Sequence, residues 1–488
     1  MQLQELLSAL PFYKANKRIE NMEINELEMD HREIEQGDVF VCIKGFTVDG
    51  HRFAEQAAKK GAVAIISEKP LEFPSAITIH VSDSHKALAL LAAKFYGYPT
   101  HEFGLIGITG TNGKTTTSYL LEKIFLLHGE KTGLIGTIQM KIGDDAYEVK
   151  NTTPDALHLQ RNFHKMVREQ VDIVMMEVSS HALDLGRVYG SDFDIAVFTN
   201  LSQDHLDYHK DMEDYLRAKT LLFTSLGNTY KEGKYAVLNA DDEHIGMIRK
   251  STVQPILTYG IENEADVMAT DIRFQLKNTH FTLRTPQGEA KIETKLIGAF
   301  NIYNMLAAAS VAILRDIPLQ TIEEAFRNIA GVDGRFEQVT EGQDFAVIVD
   351  YAHTPDSLEN VLETIKGFAE KNIYVVVGTG GDRDRTKRPL MAEVAAKYSD
   401  LAIFTSDNPR TEDPAAILAD MTDNLAYANY TVIENRKEAI FYAIDKAKAG
   451  DIVLIAGKGH ETYQEIHGVR YDFDDRSVAK AAILQKGN

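Results

Sequence analysis

Residues Gly110-Thr111-Asn112-Gly113-Lys114-Thr115-Thr116 decide how this chain folds. The apolar run Phe103-Gly104-Leu105-Ile106-Gly107-Ile108 precedes them, and a helical pattern from Ser118 to His128 follows. Strand, glycine-rich loop and helix in that order cradle nucleotide phosphates. The loop N–H groups and the positive end of the helix face the anion. In such a loop Lys114 reaches the β- and γ-phosphates, and the Thr115 hydroxyl ligates Mg2+. The strict pattern G-x-x-x-x-G-K-[ST] is not met, because Ile108 stands where its first glycine belongs. The match is to the shorter form G-T-x-G-K-T. A plain strand-to-helix turn that happens to contain Gly-Lys-Thr is the competing reading.

Working outward, a chain of 488 residues is too long for one core and suggests about three domains. Its net charge of −20 makes the whole molecule a poor binder of polyanions, so nucleic acid is not an expected partner. Phosphate must be held by local positive groups and helix ends. The lone cysteine, Cys42, lies in the apolar run Val39 to Ile43 and reads as a buried small hydrophobe in a reducing compartment. Met1-Gln2-Leu3-Gln4-Glu5 lacks the basic start of a signal peptide, and no apolar run approaches the ~20 residues of a membrane span. A cytoplasmic monomer without membrane insertion is expected.

The pattern is α/β throughout, in three blocks. In the first, Val39–Ile43, Ala62–Ile66 and Ile77–Val81 read as strands, with a helix from about His85 to Tyr96. In the second, Ile173–Val178 and Ile195–Phe198 alternate with helical segments, which predicts a parallel sheet with crossover helices. Residues 266–298 alternate like antiparallel strands, and a helix covers Tyr303 to Leu314. In the third, Ala346–Val349, Ile373–Val377, Leu401–Phe404 and Ile452–Ile455 alternate with helices, as in a second doubly wound sheet. Polar loops follow its strands: Gly378 to Asp384, Asp407-Asn408-Pro409-Arg410, and Gly457-Lys458-Gly459-His460-Glu461. Open α/β sheets bind ligands at such strand ends. None of these loops completes G-x-G-x-x-G, so a dinucleotide site is disfavoured.

Phosphoryl transfer is mostly positioning and charge neutralisation, so a phosphate loop needs metal-holding partners. Glu177, at the end of a strand, suits a metal or its water shell. The stretch Thr199 to His209, dense in Asp and His, suggests that one or more of its histidines lies near the metal. Lys219 lies on a helix, where pattern alone reads as a surface lysine.

Together these motifs resemble the Mur ligases of peptidoglycan synthesis. The resemblance rests on Gly110–Thr116, Asn151-Thr152-Thr153-Pro154-Asp155, Glu177-Val178-Ser179-Ser180-His181 and Thr199-Asn200-Leu201 with Asp204-His205-Leu206-Asp207. Lys219, Asn301 with Asn304, Gly334-Arg335 and Asp350-Tyr351-Ala352-His353 complete it, so that it spans essentially the whole chain. It implies three domains. These are a mixed α/β UDP-substrate-binding domain (1–98), a P-loop ATPase domain (99–331) and a Rossmann-like amino-acid-binding domain (332–488). Asp407-Asn408-Pro409-Arg410 is similar to the signature of members that add meso-diaminopimelate. The implied reaction consumes ATP and joins meso-diaminopimelate to UDP-N-acetylmuramoyl-L-alanyl-D-glutamate through an acyl phosphate. The resemblance also assigns roles. Lys114, Lys219, His205 and Glu177 are catalytic. Two Mg2+ ions are implied: Thr115 and Glu177 bind Mg2+, His205 lies near the second ion, and Lys219 carries a carbamate that can bind metal. ATP is held by Gly110 to Thr116, Asn301, Arg335 and Asp350, with His353 close by. The UDP-sugar peptide is held by His31, Asn151, Thr152, Thr153, Ser179 and Arg187. The acceptor pocket is lined by Arg383, Asp407, Asn408, Pro409, Arg410, Gly457 and Glu461. One departure concerns the first block, where Asp30-His31-Arg32 replaces the family's Asp-Ser-Arg.

Two other readings stand beside this one. A related ligase, adding L-lysine or acting on folylpolyglutamate, is opposed by Arg410 and by the first block. A nucleotide-dependent switch is opposed by the missing Asn-Lys-x-Asp and by three unexplained loop clusters.

Overall fold

In the computed structural model of the chain, the described residues are 1–487 apart from 20–21, 46–47, 229–231, 276–277 and 330. The strand Gly104–Thr109 runs through an eleven-stranded sheet, flanked in parallel by Ile173–Glu177 and Ile195–Phe198. From its carboxyl end the chain forms the helix Lys114–His128 and returns as Thr132–Ile135, beyond Ile173–Glu177. Ile195–Phe198, Tyr235–Asn239 and Ile256–Gly260 build outward on the other side. The strand order therefore reverses at the phosphate-loop strand, the position at which open α/β sheets hold ligands.

Alternation along this strand explains its central place. Ile106 and Ile108 pack among Leu121, Ile124 and Met305 in one apolar layer, and Leu105 joins Phe163 and Met176 in the other. The helix begins at Lys114, four residues before the sequence pattern predicts it. Thr115, Thr116 and Thr117 are β-branched and weak helix formers, but all three are buried beneath the loop. Gly113 adopts φ +88°, and a Cβ there would overlap Asn304 Oδ1. Only glycine permits that turn and that approach. The antiparallel reading of residues 266–298 corresponds to Val267–Phe274, Thr279–Thr285 and Gly288–Thr294, which extend the same sheet.

The first block is a five-stranded sheet in which Ile77–His80, Ala64–Ser67 and Val39–Val41 are central and the two-residue strands Lys14–Ala15 and Leu27–Glu28 form the edges. Cys42 is buried there, and burial pushes its thiol up to about 12, so it packs as an inert apolar residue. The third block is a six-stranded sheet whose centre is Ala346–Asp350, Ile452–Ala456, Ile373–Val377 and Leu401–Phe404, all parallel. Its edge strands Glu337–Gln338 and Tyr430–Val432 are short and partly exposed, too weakly apolar to signal themselves in sequence. Among the described residues, no helix is long and apolar enough to cross a membrane.

Candidate active site

The phosphate loop, the Glu177 strand end and the Thr199–Asp207 segment emerge together at the carboxyl edge of the central sheet. Lys114 Nζ folds over the loop and donates to the carbonyls of Gly110 and Thr111, each at 2.8 Å. Burial lowers its pKa, with Glu177 and Asp204 opposing the shift. Glu177 accepts from Thr115 Oγ1 at 3.0 Å, from Thr137 N at 2.9 Å and from Thr137 Oγ1 at 2.9 Å. Hydroxyl and carboxylate oxygens thus converge next to the loop.

Lys219 lies on the helix Met212–Ser225 and is 1% exposed, which removes the surface-lysine reading. Its Nζ donates to the Gly110 carbonyl at 2.9 Å and sits 4.3 Å from the Tyr215 ring centroid. Burial, reinforced by the nearby Lys114 charge, drives its pKa well below the ordinary lysine value. That shift favours the uncharged amine, the nucleophilic form of the group.

The histidines of this edge are neutral too. Burial takes His205 down to about 3, against the pull of Asp204, and takes His181 to about 4. Their rings lie edge to face with centroids 4.8 Å apart. His205 holds φ +56°, uncommon for a residue with a side chain, and its backbone N–H donates to Asp204 Oδ1 at 2.9 Å. Among the described residues, no group of three or more His, Cys, Asp or Glu side chains is arranged to hold a metal by itself.

The third block closes onto this edge. Arg335 Nη2 donates to Thr115 Oγ1 at 3.1 Å, and its guanidinium carbon lies 4.4 Å from the Tyr351 ring centroid. Its Nε is buried without a hydrogen-bond partner among the described residues, a donor that a ligand could use. Asp350 accepts from the backbone N–H groups of Phe336 and Ala352 at 2.6 and 2.7 Å, and burial raises its pKa. Asn112 Nδ2 and Ser202 Oγ both donate to Asp356 Oδ2, at 2.8 and 3.1 Å. Lys387 Nζ stands 3.5 Å from Asp204 Oδ1, and His353 Nε2 stands 3.8 Å from Asp204 Oδ2.

Between the two blocks lies a cavity of about 280 Å³, lined among others by Asn112, Thr116, Tyr303, Arg335, Asp350 and Asp356. Asn301 lies at the start of the helix Ala299–Leu314 with its Nδ2 donating to the Ile297 carbonyl at 2.9 Å; its neighbours Phe300, Tyr303 and Asn304 line the cavity. Tyr303 OH donates to Asp241 Oδ2 at 2.7 Å.

A second cavity, of about 460 Å³, separates the first block from the central one and is lined by Lys44, His85, Asp155 and Arg187 among others. Arg187 Nη1 donates to the Thr153 carbonyl at 2.9 Å, and Thr153 Oγ1 donates to the Glu177 carbonyl at 2.9 Å. The Ser179 side chain caps the helix Ser180–Asp184, and Thr152 Oγ1 lies 3.1 Å from Thr137 Oγ1. Asn151 is exposed in the turn before them. His31 does not line this cavity; its ring stacks on Phe53 with centroids 4.0 Å apart.

The residues of the polar third-block loops meet at the carboxyl ends of the third sheet. Asn408 Nδ2 donates to Glu461 Oε2 at 2.8 Å, so these two loops are joined directly. Asp407 and Pro409 are buried. Arg410 holds φ +52° and donates through Nη1 to the Gly381 carbonyl at 2.6 Å. A Cβ on Gly457 would lie 2.8 Å from Asp407 Oδ2, so this glycine lets the two loops touch. Arg383 is exposed and donates to the Asp382 carbonyl at 3.1 Å. Thr137, Asp356 and Lys387 take part in these sites without a sequence motif of their own, while Lys458 falls within the candidate loop Gly457 to Glu461. Asp356 carries a signal as the acidic first-turn residue after Thr354-Pro355, and that signal reads as a helix start.

Comparison with known proteins places the chain. The model of the Mur ligase middle domain matches residues 108–312, that of the Mur ligase glutamate ligase domain matches 334–459, and that of the Mur ligase family catalytic domain matches 23–96. A protein of Oceanobacillus iheyensis named UDP-N-acetylmuramoyl-L-alanyl-D-glutamate--2,6-diaminopimelate ligase is 58% identical, with 100% of each chain covered. A protein of Bacillus cereus with the same name is 56% identical over 100% of this chain and 99% of its own. A solved structure titled as that ligase superposes with a TM-score of 0.71 at 35% identity, covering 100% of both chains. With family models matching all three blocks around one phosphate-loop edge, this chain belongs to the Mur ligase family.

Proposed function

We propose that this protein is the ATP-dependent ligase that joins meso-diaminopimelate to UDP-N-acetylmuramoyl-L-alanyl-D-glutamate, in the cytoplasm, during peptidoglycan precursor synthesis. One observation carries the reading: Arg335, from the block that bears the acceptor loops, donates to Thr115 of the phosphate loop at 3.1 Å. Nucleotide and acceptor chemistry therefore share one chamber. The full-length relatives named for this reaction support the same assignment. In it, residues 1–98 bind the UDP portion, 99–331 bind ATP and 332–488 bind the acceptor, in a monomer.

A carboxylate does not react with an amine until one of its oxygens becomes a good leaving group. The side-chain carboxylate of the D-glutamyl residue attacks the γ-phosphorus of ATP, the bond to the β-phosphate oxygen breaks, and ADP departs. The amine lone pair of the acceptor then attacks the acyl phosphate carbonyl. Phosphate leaves with the bonding pair, and the new amide loses a proton. Lys114 and Arg335 neutralise the charge that develops on the transferring phosphoryl group.

The residues present fit Mg2+. Thr115 and Glu177 would hold one ion, with His205 and the Lys219 carbamate near a second. Hydroxyl and carboxylate oxygens suit a hard cation, and a neutral imidazole keeps its lone pair. When bound, the ion supplies charge neutralisation at the phosphates. The uncharged Lys219 amine, which burial favours, would add to CO2 and release a proton, which places an anion at that position. Asn301, Asp350 and the loop Gly110–Thr116 hold the nucleotide. Thr152, Thr153, Ser179 and Arg187 hold the UDP-sugar peptide, with Asn151 and His31 at its margins.

The test is ADP release with the UDP-dipeptide and either meso-diaminopimelate or L-lysine as acceptor. Diaminopimelate-dependent release with little response to lysine is expected. Equal use of both, or release without an acceptor, refutes the assignment.

A further inference from the structure

The loop Gly457 to Glu461 buries one lysine in the acceptor region, and the reaction scheme gives it no role. Lys458 is 0% exposed. Its Nζ donates to Glu461 Oε2 at 2.8 Å and to Asn408 Oδ1 at 3.1 Å, and lies 5.4 Å from the Tyr463 ring centroid. Asn408 Nδ2 closes the triangle by donating to the same Glu461 oxygen at 2.8 Å. The second acceptor site on Asn408 Oδ1 is filled by the backbone N–H of Glu465 at 2.9 Å.

These bonds sort the pocket groups by what they have left to offer. The Asn408 amide oxygen is committed to the protein. The Glu461 carboxylate has one oxygen saturated by Lys458 and Asn408, while Oε1 takes no hydrogen bond among the described residues. Asp407 is affected as well. Burial alone would raise its carboxyl, but Lys458 and Arg436 outweigh that and hold it below the usual range. Asn408 donates to both carboxylates, to Asp407 through its backbone N–H and to Glu461 through its side-chain amide. An amino-acid acceptor brings ammonium groups, which such carboxylates recognise.

We propose that Lys458 is a positioning residue for acceptor binding: it ties Glu461 to Asn408 so that Glu461 presents Oε1 to an ammonium group of the incoming amino acid. It acts through Glu461 and does not touch the acceptor. The inference rests on the proposed ligase activity, so wild-type ligation is the first arm of its test.

The experiment compares wild type, Lys458→Met, Glu461→Gln and the double variant by steady-state ligation with each substrate varied in turn. If wild type does not ligate meso-diaminopimelate, the functional assignment fails and the inference falls with it. If wild type is active, Lys458→Met should raise the acceptor KM about 30-fold or more, the usual effect of unpairing a buried charged hydrogen bond. KM for ATP and for the UDP-dipeptide should stay within about twofold, a split that general misfolding does not produce. The double variant should be no worse than the poorer single, because both changes remove one interaction. An unchanged acceptor KM, losses that multiply in the double variant, or an equal loss for all three substrates overturns the proposal. Should Lys458→Met fail to fold, the double variant decides, because it leaves no unpaired carboxylate. Acceptor KM in the double variant equal to that of Glu461→Gln alone supports the role, and a further rise refutes it.

Discussion

Replacing Lys219 by methionine should push activity and stability in opposite directions. The wild-type amine is buried, donates one hydrogen bond to the Gly110 carbonyl and forms no ion pair among the described residues. Methionine keeps most of the stem that packs beside Tyr215 and removes a buried polar group that has a single hydrogen-bond partner among the described residues. Unmet burial of that kind costs about 1–3 kcal/mol, against about 0.5–1.5 kcal/mol for the hydrogen bond lost. The net gain is about 1 kcal/mol, or about 2 °C in Tm for a unit of roughly 200 residues. Ligation should nevertheless fall by at least about a hundredfold, since the proposed carbamate could no longer form beside the transferring phosphate.

The pH dependence follows from the same burial. The folded-state pKa of Lys219 is depressed, so between that value and the unfolded value of about 10.4 the unfolded chain carries a proton that the fold refuses. Wild-type stability therefore rises with pH through that window, and the advantage of Lys219→Met should shrink as pH climbs from about 7 to about 10. Calorimetry in CO2-free buffer measures both quantities. Adding bicarbonate should shift the wild-type Tm and leave the variant unmoved. A variant that is fully active, or less stable than wild type without CO2, refutes the reasoning.

Lys114→Ala should abolish ligation while circular dichroism remains native, because it removes the cation nearest the phosphate loop; product formation by a folded variant contradicts the assignment. Chelation of divalent metal with EDTA should stop ADP release, and added Mg2+ should restore it. Arg410→Ala should weaken diaminopimelate use by about 30-fold to several thousand-fold, the effect of losing a buried charge pair of about 2–5 kcal/mol, with ATP binding unchanged. Good lysine activity need not appear in its place, since removing a repulsion builds no lysine pocket; kcat/KM for both acceptors measures it. Asp356→Ala leaves Asn112 Nδ2 and Ser202 Oγ without their shared acceptor, and should lower kcat about tenfold with little change in thermal stability of the third block, which calorimetry checks.

Much of this was legible because phosphate binding is written contiguously. Gly110 to Thr116 follow one strand and enter one helix, and strands as apolar as Ile173–Glu177 and Ile373–Val377 declare themselves by composition. The loops after the third-block strands were likewise found by position alone. Other features depend on packing that no local pattern encodes. Lys219 reads as a surface lysine, and only its placement beneath the Gly110 carbonyl makes it a buried amine. Asp356 reads as a helix-start acid, although its partners Asn112 and Ser202 lie in another block. Thr137 is a lone threonine after a strand and reaches Glu177 only because two strands adjoin. The resemblance supplied Lys219 in advance; nothing in the sequence supplied Asp356 or Thr137.

The placement of the two sheets bears on why one chain carries both half-reactions. The phosphate loop leaves the carboxyl edge of the central sheet, and the acceptor loops leave the carboxyl edge of the third. Gln203 Nε2 donates across the seam to Thr386 Oγ1 at 3.2 Å, beside the contacts of Asp204 with Lys387 and His353. The two ligand-binding edges therefore face each other. An acyl phosphate formed at one edge is attacked by water unless the amine arrives first. Opposing edges suit that problem geometrically, because an amine held at one edge lies next to a carbonyl activated at the other, away from solvent. Arg335 and Asp356 have a second consequence, since both belong to the third block yet contact the phosphate loop or its neighbour. The complete phosphate site thus exists only when the acceptor block is docked. On the proposed assignment of the third block to the acceptor, ATP cleavage would be tied to an arrangement in which the acceptor pocket is already in place, which would guard the activated carboxylate against unproductive hydrolysis.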